Sequence, residues 1–168
     1  VHKRMGEEVR SDFALSIVVL HKILGHLDKE WLEGRTSVLR KEIAEIAMFL
    51  ISGFCLGLRG EEVVKMDISG FLTYFEAGRD HPVHPHVMVP LLGRFKGETG
   101  ERWHLLLIVW RTRPGIEAGT WATRMKGSLE ERQRLHGFVY SDKKGKQTKA
   151  STLEPRFYEQ LHWVRIRY

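Results

Sequence analysis

The sequence predicts a mainly helical α+β domain that carries a small antiparallel β-hairpin on one side. Apolar residues recur at helical spacing over residues 11–33, and an almost continuous apolar run occupies residues 46–58. Two β-prone runs, residues 86–92 and 103–110, flank a charged segment that contains glycines. The 168 residues include 42% hydrophobic and 29% charged residues, which is ordinary for one globular domain, so we expect a single domain over residues 1–168.

The first half of the chain is predicted to be helical. Residues 1–10 are charged and are expected to form a flexible N-terminus, after which Ser11-Asp12 caps a helix to about residue 33. Thr36-Ser37 caps a second helix, which starts at Val38 and enters the core at about residue 46. The apolar run that follows is shorter than the roughly 20 residues of a membrane span, so it predicts a buried helix. Residues 61–66 then form a short helix or turn.

The second half is predicted to contain both helices and strands. Residues 67–85 are expected to be irregular, with a short strand at residues 71–75, and the hairpin follows with its charged turn GRFKGETGER. Pro114-Gly115 ends the second strand. A helix is predicted over residues 117–135, a short strand over 138–140, a basic loop over 141–150 and a last helix from about Leu153.

The charge of the chain is concentrated in its second half. Residues 1–85 contain 11 Lys/Arg and 13 Asp/Glu, a balance of −2, whereas residues 86–168 contain 16 and 8, a balance of +8. Such asymmetry indicates a polyanionic partner, with solubility alone as the alternative. The single Cys55 excludes a disulfide within the chain and favours a reducing compartment; its place in the apolar run indicates a small core residue.

Arg59 and Glu62 are the first candidates for a functional site. They are three residues apart, so on a helical turn they share a face, and the carboxylate can orient the guanidinium. A guanidinium that keeps part of its donor fork free can bind a phosphate through two parallel hydrogen bonds. The alternative is a structural Arg–Glu pair that closes the helix end.

Lys96 and a histidine cluster are the next candidates. Lys96 lies near the tip of the predicted hairpin, where it can contact a phosphate or donate a proton, or remain a solvated turn lysine. His81, His84 and His86 lie close together, but two prolines keep their segment extended and no Cys or carboxylate joins them at ligand spacing. We therefore predict no metal site.

The order of these features resembles the catalytic domain of the tyrosine recombinases, the phage-integrase type of DNA strand transferases. The resemblance covers roughly residues 37–168. The family's first catalytic arginine lies in a motif similar to Gly57-Leu58-Arg59-Gly60-Glu61-Glu62-Val63, and its catalytic lysine lies on a β-hairpin, as Lys96 does. The run V-P-L-L-G-R-F-K-G-E is similar to integrase-like genes of eukaryotic algae and some mobile elements.

The resemblance implies a recombinase-like helical core and a phosphoryl-transfer mechanism. In the family, a tyrosine attacks the scissile phosphate and forms a 3′-phosphotyrosine, which conserves the bond energy, so no metal, nucleotide or other small-molecule cofactor is implied. Arg59 would stabilise the transition state, Glu62 would support Arg59, and Lys96 would protonate the leaving 5′-oxygen. Double-stranded DNA is the implied partner, with self-association on DNA, and the basic residues implied to neutralise its phosphates are Arg94, Arg102, Lys143, Lys144, Lys146 and Lys149.

The chain departs from the family pattern near its end. His162 and Arg165 read H-x-x-R, the family's next motif, but they fall in the register of an amphipathic helix, and an ordinary helix is the alternative. Tyr168 follows too closely to be the nucleophile. We therefore expect a catalytic domain that is incomplete at its C-terminus and inactive alone.

Three hypotheses remain open from the sequence. The first is the DNA-binding part of an active recombinase, and the second is a non-catalytic DNA-binding module with the same fold. The third is a protein-interaction domain with a structural Arg59–Glu62 pair. We expect the nucleus in a eukaryote or the cytoplasm and nucleoid otherwise, with neither secretion nor a membrane partner, since no signal peptide or membrane span is recognisable.

Overall fold

The computed structural model describes residues 16–93, 95, 98–100 and 102–163, with only the backbone at 154, 157, 158 and 160–163. Helices predominate in these residues, and two strands form an antiparallel pair, as predicted. The elements are, in chain order, α1 (Ile17–Glu33), α2 (Ser37–Leu56), α3 (Gly60–Val63), α4 (Ile68–Arg79), β1 (His86–Gly93), β2 (Arg102–Val109), α5 (Ala118–Glu131) and α6 (Ala150–Trp163).

The first two helices begin at residues whose side chains accept backbone hydrogen bonds. Ser16 Oγ accepts from the N–H of Val19 at 3.2 Å, and Thr36 Oγ1 accepts from the N–H of Leu39 at 3.2 Å. The second cap confirms the predicted start of α2, whereas the cap predicted at Ser11-Asp12 lies outside the described residues.

Helix α2 lies at the centre of the fold. It contacts α1, α3, α5, α6 and β2, which explains why its sequence is apolar on nearly all sides. Its buried apolar residues belong to one continuous core that also includes residues of α1, α4, α5 and both strands. The predicted buried helix is thereby confirmed, although it ends at Leu56 rather than continuing towards Arg59.

The hairpin forms in the expected place, and its first strand is paired on both edges. In register, His86 lies opposite Val109 and Gly93 opposite Arg102. On the other edge of β1, the N–H of Leu92 donates to Lys65 O and the N–H of Asp67 donates to Pro90 O, each at 2.9 Å. The segment after α3 is therefore held against the sheet.

A further pairing lies on the far side of that segment. The N–H of Val139 donates to Met66 O at 3.0 Å, and an isolated bridge joins Asp67 to Phe138. The strand predicted over residues 138–140 is thus reduced to a single bridge. This pairing places Met66 and Asp67 between β1 and the segment that leads into the basic loop.

The prediction of irregular structure with a strand at residues 71–75 is wrong, because these residues lie in α4. Asp67 caps the helix, and its Oδ2 accepts from the N–H of Gly70 at 2.8 Å. Phe71 and Phe75, one helical turn apart, are both buried with ring centroids 5.7 Å apart. Aromatic residues that favour strands locally are helical here because both rings reach the core from one helix face.

The helix predicted over residues 117–135 is α5, which ends at Glu131, and the last helix begins at Ala150, three residues before the predicted start. Both pack against α2. Between them, Tyr140 is fully buried and lies edge-to-face with Phe49 of α2, with ring centroids 5.8 Å apart. This contact fixes the start of the basic loop against the central helix.

Candidate functional site

A left-handed glycine ends α2 and places Arg59 at the start of the next helix. Gly57 has φ 63°, a conformation that glycine adopts without a Cβ clash, and the N–H of Leu58 donates back to Gly53 O at 3.1 Å. The chain therefore turns away from the axis of α2 immediately before Arg59, which becomes the N-cap residue of α3.

Glu62 contacts Arg59 through the backbone rather than through the guanidinium. Its Oε2 accepts from the N–H of Arg59 at 2.7 Å, the carboxylate half of a capping box. The expected contact between the two side chains is not formed. Within the described residues, the Arg59 guanidinium makes neither a hydrogen bond nor an ion pair, and the side chain is exposed.

Arg59 opens onto a cleft of about 730 Å³. One wall is Arg59 and α3 with the two residues that follow it, and the other is the end of the basic loop with the first turn of α6. Arg59 and Lys65 stand on the first wall and Lys149 on the second, with Glu61 as the acidic residue of the lining. The full lining is Arg59, Gly60, Glu61, Val64, Lys65, Gln147, Thr148, Lys149, Ala150 and Ser151.

The two walls are joined by one side-chain hydrogen bond and one close approach. The Nε2 of Gln147 donates to the backbone carbonyl oxygen of Val64 at 3.0 Å. At the base of the cleft, a Cβ added to Gly60 would lie 3.0 Å from the Cβ of Ala150 and 3.2 Å from Cζ of Phe49. Glycine at position 60 therefore allows α3 and α6 to meet.

The basic loop over residues 141–149 has a defined turn. Asp142 Oδ1 accepts from the N–H groups of Lys144 and Lys146 at 2.8 and 2.9 Å, and Gly145 adopts φ 81°. The N–H of Thr148 donates to Tyr140 O at 2.8 Å and closes the loop. Lys143, Lys144 and Lys146 are exposed around this turn, whereas Lys149 lines the cleft.

The base of the hairpin turn lies beside the same cleft. The Nζ of Lys65 stands 4.3 Å from the ring centroid of Phe95, and that ring meets the His104 ring edge-on at 4.3 Å. The Nε2 of His104 lies 3.2 Å from Oε1 of Glu98 across the turn. Lys65 thus connects the cleft to the residue that precedes Lys96 in sequence.

Several predicted site residues lie outside the described residues or away from the cleft. Lys96, Arg94 and Arg165 lie outside the described residues, and His162 lies in α6 with only its backbone described. Arg102 is exposed at the start of β2. Among the predicted residues, the structure therefore brings together Arg59, Glu62 and Lys149.

The structure adds two residues that the sequence analysis did not select, Lys65 and Gln147. Lys65 lies six residues after Arg59, a spacing that matches no helical period. Gln147 is one of two uncharged polar residues between Lys146 and Lys149 of the basic loop. Neither has a local sequence signal, because each acquires its position through contacts with distant segments.

No metal site is present in the described ranges, where no three His, Cys, Asp or Glu residues are arranged to hold an ion. His81 Nδ1 instead accepts from the N–H of His84 at 2.9 Å, so that its segment forms a turn. None of the helices in this part of the chain combines the length and apolar character needed to cross a membrane.

No protein-family model, characterised protein or solved structure matches the chain. The candidate site is accordingly defined by its own geometry: an arginine without a protein partner in the described structure, at the mouth of a basic cleft.

Proposed function

We propose that this chain binds double-stranded DNA as part of a tyrosine recombinase of the integrase type, and that Arg59 binds the scissile phosphate. The observation that carries the proposal is the exposed Arg59 guanidinium, which has no partner among the described residues and shares a cleft with Lys65 and Lys149. The three cations share the cleft with one acidic residue, Glu61, and a phosphate would supply acceptors for the donors of the Arg59 guanidinium.

The chemistry of a phosphodiester suits this arrangement. A guanidinium can donate two parallel hydrogen bonds to non-bridging oxygens, and these bonds strengthen as charge develops in the pentacoordinate transition state. Because Glu62 binds the backbone N–H of Arg59, the donors of the guanidinium remain available to a ligand. In this proposal, Lys96 protonates the leaving 5′-oxygen, as the family resemblance implies.

The proposal assigns phosphate binding and activation to these residues and assigns strand cleavage to none of them. The resemblance places the tyrosine nucleophile at no position of this chain. The second DNA hypothesis, a non-catalytic module with the recombinase fold, shares the same phosphate contacts. Both hypotheses use Lys143, Lys144 and Lys146 on the loop and Arg102 on β2 as additional contacts to the DNA backbone.

The protein-interaction hypothesis depended on a structural Arg59–Glu62 pair. The guanidinium of Arg59 has no such contact with Glu62 in the described structure, where the carboxylate binds the backbone N–H instead. This geometry favours the DNA hypotheses, because no carboxylate among the described residues binds the guanidinium of Arg59.

The test is a titration of a short DNA duplex by fluorescence anisotropy at salt concentrations from about 50 to 200 mM. Affinity should fall steeply with salt, and Arg59→Ala should weaken binding and reduce the log–log slope by about one. Arg35→Ala, which removes an exposed arginine between α1 and α2, is the matched control and should change neither value. A flat slope for the unaltered chain would overturn both DNA hypotheses.

A second experiment separates the recombinase from the non-catalytic module. The complete polypeptide encoded by the gene is incubated with a nicked suicide substrate, and a recombinase should form a covalent DNA adduct that Arg59→Ala abolishes. An adduct yield unchanged by Arg59→Ala would show that the assignment of Arg59 is wrong. DNA binding without any adduct would favour the non-catalytic module.

A further inference from the structure

The cleft beside Arg59 is an open groove of about 730 Å³ between two walls. Its cations stand on both walls rather than at one point. Because Lys149 and the start of α6 belong to the wall opposite Arg59, they can bind an anionic group of their own.

The second wall offers donors of two kinds. Lys149 is exposed and immediately precedes α6, a helix of 14 residues. The amide groups of Ala150 and Ser151 lie in the first turn of that helix, where helix geometry supplies no acceptor. A negatively charged group at this wall would meet the lysine, these N–H groups and the positive end of the helix dipole.

The position of the second wall depends on Gln147. Its side chain spans 83 residues of sequence to reach Val64 O, and it lies two residues before Lys149. Gly60 allows the contact with Ala150 at the base of the cleft, so a wall displaced at either point would move Lys149 away from Arg59.

We propose that the cleft is a two-walled clamp for consecutive phosphates of one DNA strand, with Arg59 on the first phosphate and Lys149 and the start of α6 on the next. Gln147 is the positioning residue for the second wall. This inference rests on the proposed function for its ligand, and it assigns roles to Lys149, Gln147 and the first turn of α6 that the family resemblance does not.

A double-mutant cycle tests the clamp. Affinity for the duplex is measured for Arg59→Ala, Lys149→Ala and the double variant. Once Arg59 is lost, the strand is no longer held in the cleft, so removing Lys149 should cost less. The loss in the double variant should therefore be about 3- to 100-fold smaller than the product of the single losses. If the loss of affinity in the double variant equals the product of the two single losses, the clamp is wrong.

The control for this cycle is Lys144→Ala, which removes the same charge from the same loop but does not line the cleft. When Lys144→Ala is combined with Arg59→Ala, the loss of affinity should equal the product of the two single losses. If Lys144 shows the same coupling as Lys149, the coupling reports general charge and the clamp is wrong.

Gln147→Leu tests the positioning role without a change of charge. It should abolish the coupling between Arg59 and Lys149, a result that a general loss of stability would not give. Gly60→Ala, which pushes against Ala150 from the opposite wall, should reduce the same coupling. Thermal unfolding of both variants establishes that they fold, and coupling that persists in both would overturn the role of Gln147.

A titration with inorganic pyrophosphate separates this inference from the proposed function. If the chain binds no duplex, the proposed function and the DNA ligand of the clamp both fail, and NMR shifts of the Ala150 and Ser151 amides on adding pyrophosphate then decide whether the cleft is a two-walled anion site. Shifts that disappear in Gln147→Leu support an anion site with two walls. Amides that do not respond to pyrophosphate overturn it.

Discussion

The hydroxyl of Tyr140 donates a hydrogen bond of 3.0 Å to the backbone carbonyl oxygen of Glu45 in α2. Burial raises the pKa of Tyr140 well above its ordinary value of 10.0, so the hydroxyl keeps its proton and remains a donor. The residue that immediately precedes the basic loop is thereby bonded to the helix that precedes Arg59.

Tyr140→Phe should lower the free energy of unfolding by about 0.5–1.5 kcal/mol, because it removes one buried hydrogen bond and keeps the ring. Urea denaturation followed by circular dichroism measures the change. Tyr74→Phe, at a side chain 38% exposed, is the control and should remain within about 0.5 kcal/mol of the unaltered chain. Equal effects of the two variants would contradict the role given to this bond.

Glu45 should make the fold less stable as pH rises. Burial raises its pKa above the ordinary value of 4.5, and the ammonium of Lys41 and the guanidinium of Arg132, each 3.8 Å from Oε1 of Glu45, offset this only in part. The folded state therefore binds the proton more tightly than the unfolded state does. The free energy of unfolding should fall from about pH 4.5 up to the raised pKa and then level off.

Glu45→Gln should remove this decrease. The free energy of unfolding of this variant should equal that of the unaltered chain below pH 4.5. At pH 7 it should be higher, by about 1.4 kcal/mol for each pH unit that separates the folded and unfolded pKa values of Glu45. Denaturation at a series of pH values gives the comparison. Glu42→Gln, at a half-exposed carboxylate 3.6 Å from Arg156, is the control and should shift stability by less than about 1 kcal/mol.

Two glycines of α5 should respond in opposite ways to alanine. A Cβ at Gly119 would overlap the indole of Trp110, whereas a Cβ at Gly127 meets nothing within 4 Å. Gly119→Ala should destabilise by about 1–3 kcal/mol through overpacking, and Gly127→Ala should stabilise by about 0.5–1 kcal/mol through helix propensity. Thermal unfolding of both variants tests the contrast, and a stabilising Gly119→Ala would show that the indole moves freely.

Two substitutions of Glu62 isolate its hydrogen bond to Arg59. Glu62→Gln and Glu62→Ala remove the same charge, but only Gln retains an oxygen that can accept from the Arg59 N–H. If that bond places Arg59, duplex affinity should be several-fold lower for Ala than for Gln, since a lost cap costs about 0.5–2 kcal/mol. Anisotropy titration measures the ratio, and equal affinities would show that Glu62 acts through charge alone.

The hairpin was predictable because its signal is local: two β-prone runs flank a turn that contains glycines. Helix α4 was not, because the run Phe71–Phe75 favours a strand by composition, and Gly70 and Gly78 lower its helix propensity. Those glycines are there for packing, since a Cβ at Gly70 would meet Pro90 at 2.9 Å. Tertiary contact thus decides a segment whose local preference points to a strand.

The same distinction applies to the site. Arg59 was predictable from the apolar run that ends just before it and from its spacing to Glu62. The cleft was not, because Gln147 and Lys65 gain their positions from hydrogen bonds and ring contacts between segments distant in sequence. A single sequence carries no periodic signal for such contacts.

The bond between Gln147 and Val64 also has a consequence for the order of folding. It closes a loop of 83 residues, whereas the hairpin and the helices close over short stretches of chain. Closure entropy grows with loop length, and contacts between distant residues form late in folding. The cleft should therefore be assembled after the individual helices and the hairpin, so that Arg59 gains its opposite wall only once these local elements have formed.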